Sequence, residues 1–266
     1  MRFSNVLFGA DPELFIQDKE GKFISAIGKI GGTKHDPRPI DLYGSYVQED
    51  NVAVEFNIAP AKGKIEFIRN IYRPLSYIKD FVKKQIGANI CISASAIFTE
   101  DQLLDPRAQA FGCDIDYNAW TGKANPRPKA AGEHKNLRTA GGHLHISWER
   151  PNMAQRIALV KMLDLTQGVP SVIMDEDDTR RNLYGKAGAY RPKSYGVEYR
   201  VLSNFWIKSP RLMAWLIDQA HLAMTFLSRG MLPQSDKDAI LASINGGNKR
   251  EARKLIDKYG LKLVKL

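Results

Sequence analysis

Four segments of the chain alternate between apolar and polar residues, which is the pattern of a β-strand with one face packed on a core. They cover residues 11–17, 51–58, 141–148 and 197–202, and a further strand is predicted at 90–98. Because successive side chains of a strand point to opposite faces, each segment would bury an apolar row and present a polar row on its other side. The pattern therefore predicts a sheet with one apolar and one polar face.

Helical spacing of apolar residues predicts the elements that would cover the apolar face. Residues 64–86 have this spacing and contain Pro74, which we expect to kink the helix. A second helix begins after a cap at Asn152 and is expected to end at Gly168 and Pro170. Further helices are predicted at residues 209–229, 235–244 and 249–258. Since strands and helices are mixed without a regular βα repeat, the expected fold class is α+β with a mostly antiparallel sheet.

Composition narrows the class of protein. The chain has 266 residues, 44% of them hydrophobic, which suits one large domain or two small ones. No apolar run approaches the ~20 residues that span a bilayer, and the N-terminus does not have the pattern of a signal peptide. The two cysteines have no zinc-type spacing, so we expect a cytoplasmic protein without a membrane anchor. A net charge of +10 is first interpreted as a solvated basic surface, and an anionic partner such as a phosphorylated small molecule or nucleic acid is the alternative.

The polar rows of the four strands contain residues of the types that bind metal ions. Their acidic and imidazole residues are Asp11, Glu13, Glu55, His143, His145 and Glu198. Carboxylates that face one another repel unless cations lie between them, and carboxylates with imidazole suit Mg²⁺ or Mn²⁺. The alternative is that these rows are solvated outer faces. That alternative loses weight because four strands agree and because the same rows lack Lys and Thr.

Arginines supply the complementary chemistry. Arg180, Arg181, Arg191 and Arg200 lie within about twenty residues, and the guanidinium fork suits phosphate and carboxylate. A surface loop with scattered basic residues is the alternative for this segment. Upstream, alternating polar residues before an irregular stretch either line a pocket or turn the chain; these are Asp114, Asp116, Asn118 and Trp120.

Several of these segments resemble motifs of glutamine synthetase. Residues 9–15 are similar to its strand with two acidic metal ligands, and residues 141–147 resemble the G-x-H-x-H-x-S motif of its superfamily. Residues 197–200 resemble E-x-R, and residues 54–57 fit a further metal-binding Glu. The order of the motifs also agrees. The strongest resemblance is to the carboxylate–amine (COOH–NH2) ligase family of bacteriophages, within the glutamine synthetase and glutamate–cysteine ligase superfamily, in which stretches like residues 189–206 recur.

The resemblance implies a glutamine synthetase-like catalytic domain over residues 1–232, with a curved sheet and helices on its outer face, and a basic helical extension over 233–266. It implies an ATP-dependent ligase that joins a carboxylate to an amine through an acyl phosphate. The implied metal ligands for Mg²⁺ or Mn²⁺ are Asp11, His143 and Glu198 for one ion, and Glu13 and Glu55 for another. Either Glu49 or Asp50 would be a further ligand.

The remaining implied roles concern ATP and the reacting groups. His145, Ser147 and Arg181 would lie near the nucleotide. Arg191 and Arg200 would act in catalysis together with Glu198.

Two other interpretations of the same residues stay open. A two-metal phosphoryl enzyme such as a nuclease also needs clustered acidic and imidazole groups. A non-enzymatic basic phage protein could keep the fold and associate with the virion. The sequence does not identify the carboxylate or the amine, and a homo-oligomer is possible.

Overall fold

The four alternating segments form adjacent strands at the centre of one sheet. The computed structural model describes residues 1–40, 43–109, 115–126 and 135–264. The strands are β1 (Leu7–Gln17), β2 (Phe23–Ile24), β3 (Arg38–Pro39), β4 (Tyr46–Asp50), β5 (Ala53–Asn57), β6 (Asn89–Cys91), β7 (Ser95–Ile97), β8 (Tyr117–Asn118), β9 (Leu137–Thr139), β10 (Gly142–Ser147), β11 (Ala189–Lys193) and β12 (Gly196–Tyr199).

Within the described ranges, ten strands share this sheet. Its main path runs β3-β4-β5-β1-β10-β12-β11-β8, and β2 and β6 both pair with the far end of β1. Each pairing between described strands is antiparallel. The strands β7 and β9 form a separate antiparallel pair. The predicted α+β class with a mostly antiparallel sheet is confirmed.

Helices cover the apolar face of the sheet. They are α1 (Lys64–Phe81), α3 (Met153–Leu163), α4 (Val169–Met174), α6 (Pro210–Ser228), α7 (Lys237–Gly246) and α8 (Lys249–Tyr259). Two short helices, α2 (Pro106–Gln109) and α5 (Thr179–Leu183), contribute no described residue to the main core. The main core combines strand residues such as Phe8, Leu14 and Leu144 with helix residues such as Phe67 and Leu216, all fully buried. A smaller apolar cluster around Phe15 and Phe98 lies apart from this core.

Some predicted elements differ from the structure in ways that local sequence did not show. Residues 90–98 form two short strands rather than one, because β6 pairs with β1 whereas β7 pairs with β9. The helix predicted over residues 64–86 is present with the same bounds: Pro74 lies inside α1, and only the last turn, Val82–Ile86, is π-helical. The strands β4 and β11 were not predicted. Each completes a hairpin with a strand that was predicted, β5 and β12 respectively.

The predicted helix end at Gly168 and Pro170 is wrong. The π-helical turn Asp164–Gly168 joins α3 to α4, and the backbone N–H of Val169 donates to the carbonyl of Asp164. This wider turn carries the helix past Pro170. The resulting stretch Met153–Met174 has the length and composition of a membrane-crossing helix, but 83% of its most apolar window is buried inside the fold.

The C-terminal helices pack on the same core. Ile240 and Ile244 of α7 and Leu255 of α8 belong to the main apolar cluster. The side chain of Asn245 also accepts a hydrogen bond from the backbone N–H of Ala187 (2.8 Å). These contacts attach α7 and α8 to the segment that leads into β11.

Asp164 ties the π-helical turn to the sheet. Its carboxylate is fully buried and accepts hydrogen bonds from Trp120 Nε1 (2.6 Å) and from the Tyr199 hydroxyl (2.9 Å). Burial raises the pKa of Asp164 from 3.8 to about 7, although both hydrogen bonds oppose the shift. Asp164 therefore joins β12, through Tyr199, to the segment that holds Trp120.

We expect this buried carboxyl to make stability depend on pH. Between about pH 4 and pH 7 the folded chain keeps the Asp164 proton that the unfolded chain has lost, so the free energy of unfolding falls as pH rises. The loss reaches up to about 4 kcal/mol above pH 7. In Asp164→Asn this contribution is absent, so urea unfolding at pH 5, 6, 7 and 8 should show the variant gaining stability relative to wild type with rising pH.

The control is Asp218→Asn, which alters an exposed aspartate paired with Lys64. We expect no comparable trend for this variant. A constant difference between Asp164→Asn and wild type across the four pH values would contradict the prediction.

Candidate active site

The polar residues of neighbouring strands lie directly opposite one another on the sheet. The antiparallel register sets this arrangement, since opposed residues of paired strands share a face. The opposed pairs are Glu55 and Glu13, Asp11 and His143, His145 and Glu198, and Glu198 and Arg191. The structure therefore brings the predicted ligands of four strands into one continuous site.

The first cluster is centred on Asp11. Its Oδ1 lies 3.2 Å from His143 Nδ1, and its Oδ2 lies 3.1 Å from His145 Nε2. Glu198 completes the cluster, with Oε1 3.9 Å from His143 Nδ1. One ligand atom from each of Asp11, His145 and Glu198 falls within 4.8 Å of the others. Both histidines thus lie at this cluster, although the sequence assigned only His143 to the metal.

The charges of this cluster favour metal ligation. Burial alone would raise the pKa of Asp11, but the contacts with His145 and His143 hold it well below its usual range. Burial lowers the pKa of His143 to about 4, and Arg200 acts in the same direction. For Glu198, burial and the nearby Asp11 are outweighed by Arg200 and the two histidines, and its pKa falls to about 2. The carboxylates of Asp11 and Glu198 and the neutral imidazole of His143 are donor forms that bind a divalent cation. Burial opposes the charge on His145, but Asp11 and Glu198 outweigh it and raise the pKa of His145, so a cation there would displace a proton from this imidazole.

A second cluster contains only carboxylates. Oxygen atoms of Glu13, Asp50 and Glu55 lie within 4.8 Å of one another. Burial, and then the charge of Asp50, raise the pKa of Glu13 to about 7, although the backbone N–H of Gly141 donates to its Oε2 (2.7 Å). Burial also raises the pKa of Asp50. Three such oxygens fit a cation that prefers oxygen ligands, such as Mg²⁺ or Mn²⁺, which would remove the repulsion among the carboxylates.

The structure distinguishes Glu49 from Asp50. Asp50 belongs to the second cluster, whereas Glu49 points away from it. The Glu49 carboxylate accepts hydrogen bonds from the backbone N–H groups of Gly28 (2.9 Å), Ile30 (3.1 Å) and Gly31 (2.9 Å). Adjacent strand residues face opposite sides, so only one of the two can reach Glu13 and Glu55.

Three cationic side chains surround Glu198. Arg200 donates to Glu198 Oε1 and also lies 3.2 Å from His143 Nδ1. Arg191 Nη1 is 3.2 Å from the same oxygen, and Lys193 Nζ is 2.8 Å from Oε2. The sequence interpretation included the two arginines but missed Lys193. The signal was present, because Lys193 follows Arg191 by two residues and so shares its face of the strand.

Of the two arginines on α5, Arg180 faces the site and Arg181 does not. Arg180 is buried, lines a cavity beside Glu13, and donates through Nη1 to the carbonyl of Val201 (3.0 Å). Arg181, which was predicted to lie near the nucleotide, instead donates to Asp178 (2.9 Å) and to the Ser171 hydroxyl (2.9 Å). Successive helix residues differ by about 100° in direction, which explains why neighbours in sequence have different partners.

Two cavities flank the clusters. One of about 310 Å³ extends from Glu13, Asp50 and His143 toward arginines, with Arg107, Arg138, Arg180 and Arg200 in its lining. The other, of about 400 Å³, is lined by His145, Ser147 and Tyr195, by residues 7–10, and by Asn57, Ile58 and Pro60. The site thus has a cationic end and a more apolar end, with the metal-ligand clusters near both.

The alternating residues from Asp114 to Trp120 were expected either to line a pocket or to turn the chain, and different residues do each. Asp116 Oδ2 lies 3.4 Å from Arg200 Nε, at the edge of the site. Asn118 accepts from the backbone N–H of Trp120 (2.9 Å) and so turns the chain, while Trp120 bonds to Asp164. Asp114 lies outside the described residues.

The distinction between Asp50 and Glu49 gives a direct test. We expect Asp50→Asn to weaken Mn²⁺ binding by roughly tenfold or more, because it removes a charged ligand from the second cluster. Glu49→Gln should retain Mn²⁺ affinity but lower the melting temperature, because it weakens the bonds to three loop amides. Electron paramagnetic resonance of free Mn²⁺ and thermal unfolding measure the two effects. Equal loss of Mn²⁺ affinity in both variants would be inconsistent with this assignment.

Comparison with solved structures gives weak overall likenesses. A bifunctional glutathione synthetase from Pasteurella multocida aligns over 96% of this chain with a TM-score of 0.48 and 10% identity. The chain spans about half of that protein, 47% of its length. A GmaS complex with ADP aligns over 98% of this chain and 71% of its own, with a TM-score of 0.37 and 11% identity.

Sequence comparison is more specific. Curated protein sequences include no significant match to the chain. A protein-family model described as phage phiEco32-like COOH.NH2 ligase-type 2 matches residues 119–264, which is more than half of the chain. The match includes β10, β11 and β12, the strands that carry His143, Arg191 and Glu198. The chain therefore belongs to the phage phiEco32-like COOH.NH2 ligase-type 2 family.

Proposed function

We propose that the protein is an ATP-dependent carboxylate–amine ligase, encoded by a phage, that forms an amide bond through an acyl phosphate. Family membership supports the carboxylate–amine ligase class. The observation that carries the finer proposal is the pair of acidic clusters on adjoining strands with a cavity at either end. Clustered ligands suit bound cations that hold a polyphosphate, and two cavities provide separate places for nucleotide and acceptor.

Divalent cations fit both clusters. Asp11, His145 and Glu198 would hold one, with His143 contacting the same aspartate. Glu13 and Glu55, with Asp50, would hold the other. When bound, Mg²⁺ or Mn²⁺ would neutralise charge on the phosphate oxygens.

The protein side chains would orient the reactants. A substrate carboxylate oxygen attacks the γ-phosphorus of ATP, and the bond to the β-phosphate oxygen breaks to release ADP. The amine nitrogen then attacks the carbonyl carbon of the acyl phosphate, inorganic phosphate leaves, and the nitrogen loses its proton to solvent. Arg191 and Arg200 would stabilise the negative charge of the transferred phosphoryl group, since guanidinium groups bind such oxygens in a fixed geometry.

The two cavities have different assignments. We place the nucleotide in the more apolar cavity, where His145 and Ser147 were expected to meet ATP and where Tyr195 adds an aromatic ring. We place the carboxylate substrate in the cationic cavity, beside Arg200 and Arg180. Arg181, which was expected near the nucleotide, lines neither of these two cavities, and its guanidinium is held by Asp178 and Ser171. A reaction that consumes ATP fits the cytoplasm, the compartment expected from the sequence.

A nuclease is the enzymatic alternative, because two-metal sites also cleave phosphodiesters. The family favours the ligase. Incubation of the protein with Mg²⁺ and either single-stranded or duplex nucleic acid, without ATP, separates the two functions. Cleavage there would favour the nuclease, whereas the ligase requires ATP and an acceptor.

The direct test of the proposal is ADP release with Mg²⁺ across a panel of amino acids and peptides as carboxylate and amine donors. We expect ADP and phosphate to form only when both donors are present, together with an amide product visible by mass spectrometry. ADP release that never depends on a carboxylate would refute the ligase. Failure to bind ATP, with stable association with phage particles, would support the non-enzymatic alternative.

Glu198→Gln should reduce turnover by at least about 100-fold, because it removes a charged ligand and the partner of Arg191 and Arg200. The variant should remain folded, since glutamine has the same shape and keeps hydrogen-bonding capacity. Circular dichroism and steady-state ADP release measure the two properties. Wild-type turnover in a folded Glu198→Gln protein would refute the proposed role of this residue.

A further inference from the structure

Both oxygens of Glu198 are contacted by cationic side chains. Arg191 and Arg200 meet Oε1, and Lys193 Nζ lies 2.8 Å from Oε2. The same carboxylate belongs to the cluster with Asp11 and His145. A divalent cation bound to this carboxylate would lie beside the Lys193 ammonium, and two cations at one carboxylate repel. Metal binding and the Lys193 contact therefore compete.

Lys193 is the cation best able to leave. Its side chain is 33% exposed, whereas that of Arg191 is 15% exposed and that of Arg200 is 5% exposed. Its backbone is fixed, because Arg156 donates to the carbonyls of Lys193 and Gly196, both at 2.9 Å. Only the four-carbon stem of the side chain can move, and a lysine stem has several rotatable bonds.

The strand register places Lys193 one residue across the sheet from the glycine that faces the lining of the second cavity. Lys193 lies opposite Gly196 on β12, and Gly196 lies opposite Ser147 on β10. A side chain at position 196 is excluded, because its Cβ would lie 2.0 Å from the carbonyl oxygen of Ile146. Gly196 therefore places no side chain of its own between Lys193 and Ser147 along the sheet, and Ser147 lines the cavity together with His145 and Tyr195.

We infer that Lys193 exchanges between two partners: it neutralises Glu198 when no cation is bound there, and it binds a phosphate oxygen of the nucleotide when a divalent cation takes its place. The inference rests on the proposed function for its second half. Lysine is a point-charge binder of phosphate, which needs no fixed approach angle and so suits a side chain with two positions. Lys193 would thereby couple metal binding to nucleotide binding.

The exchange predicts opposite effects of one substitution. In Lys193→Gln, we expect Mn²⁺ alone to bind at least roughly threefold more tightly than in wild type, because a competing charge has been removed. The KM for ATP should rise by roughly tenfold, because a charged contact to phosphate has been lost. Mn²⁺ binding without nucleotide is measured by electron paramagnetic resonance, and KM by ADP release.

Two matched variants complete the experiment. Lys193→Arg keeps the charge and should remain close to wild type in Mn²⁺ affinity, with most of the ATP affinity restored relative to Lys193→Gln. Lys254→Gln removes a lysine from an exposed pair with Glu251 on α8 and should change neither measurement. Thermal unfolding checks that each variant is folded.

The outcomes separate this inference from the proposed function. Unchanged or weaker Mn²⁺ binding in Lys193→Gln overturns the competition, and an unchanged KM for ATP overturns the phosphate contact. If wild type neither binds nor hydrolyses ATP, the proposed function and the phosphate contact fail together, while the Mn²⁺ measurement still decides the competition. Tighter Mn²⁺ binding with a raised KM for ATP supports the exchange.

Discussion

The repulsion among buried and partly buried carboxylates on one face of the sheet is the constraint on which the site depends. The acidic residues are Asp11, Glu13, Asp50, Glu55 and Glu198, and they lie on adjoining strands in two clusters. Burying a charge without a partner costs several kcal/mol, so the fold must supply countercharge close by. At the first cluster, two imidazoles and three cationic side chains do so. At the second cluster the compensation is weaker, and the pKa of Glu13 rises to about 7.

This difference gives the two clusters different properties. The first is neutralised by the protein, so a cation must compete there with a side chain. The second keeps unfavourable charge until a cation or a proton arrives. Both clusters depend on the register of the strands, because a shift of one residue in β1 would move Asp11 and Glu13 to the core side. The core below fixes that register: Phe8, Leu14 and Ile16 alternate with the ligands and are fully buried.

The strands that carry the site could be predicted from sequence because period-two alternation is a local signal. It placed Asp11, Glu13, Glu55, His143 and Glu198 on one face, and the register confirms that they share it. Other features depend on contacts distant in the chain. Choosing Asp50 over Glu49 requires the β4–β5 hairpin, and choosing Arg180 over Arg181 requires the direction of a five-residue helix. The continuation of α3 past Pro170 depends on a π-helical turn, which apolar periodicity does not indicate.

The π-helical turn Asp164–Gly168 connects the core to the charged residues on the polar face of the sheet. Asp164 in the turn accepts a hydrogen bond from Tyr199, the last residue of β12. Glu198 precedes Tyr199 in the sequence and Arg200 follows it. Asp164 also holds Trp120, four residues from Asp116, whose carboxylate meets Arg200. One buried carboxyl thus supports both the strand that presents Arg200 and the segment that contacts it. Because Trp120 and Tyr199 both donate hydrogen bonds to Asp164, a shift of the turn would disturb Arg200 from two sides, so core packing and the position of the Arg200 guanidinium are physically linked.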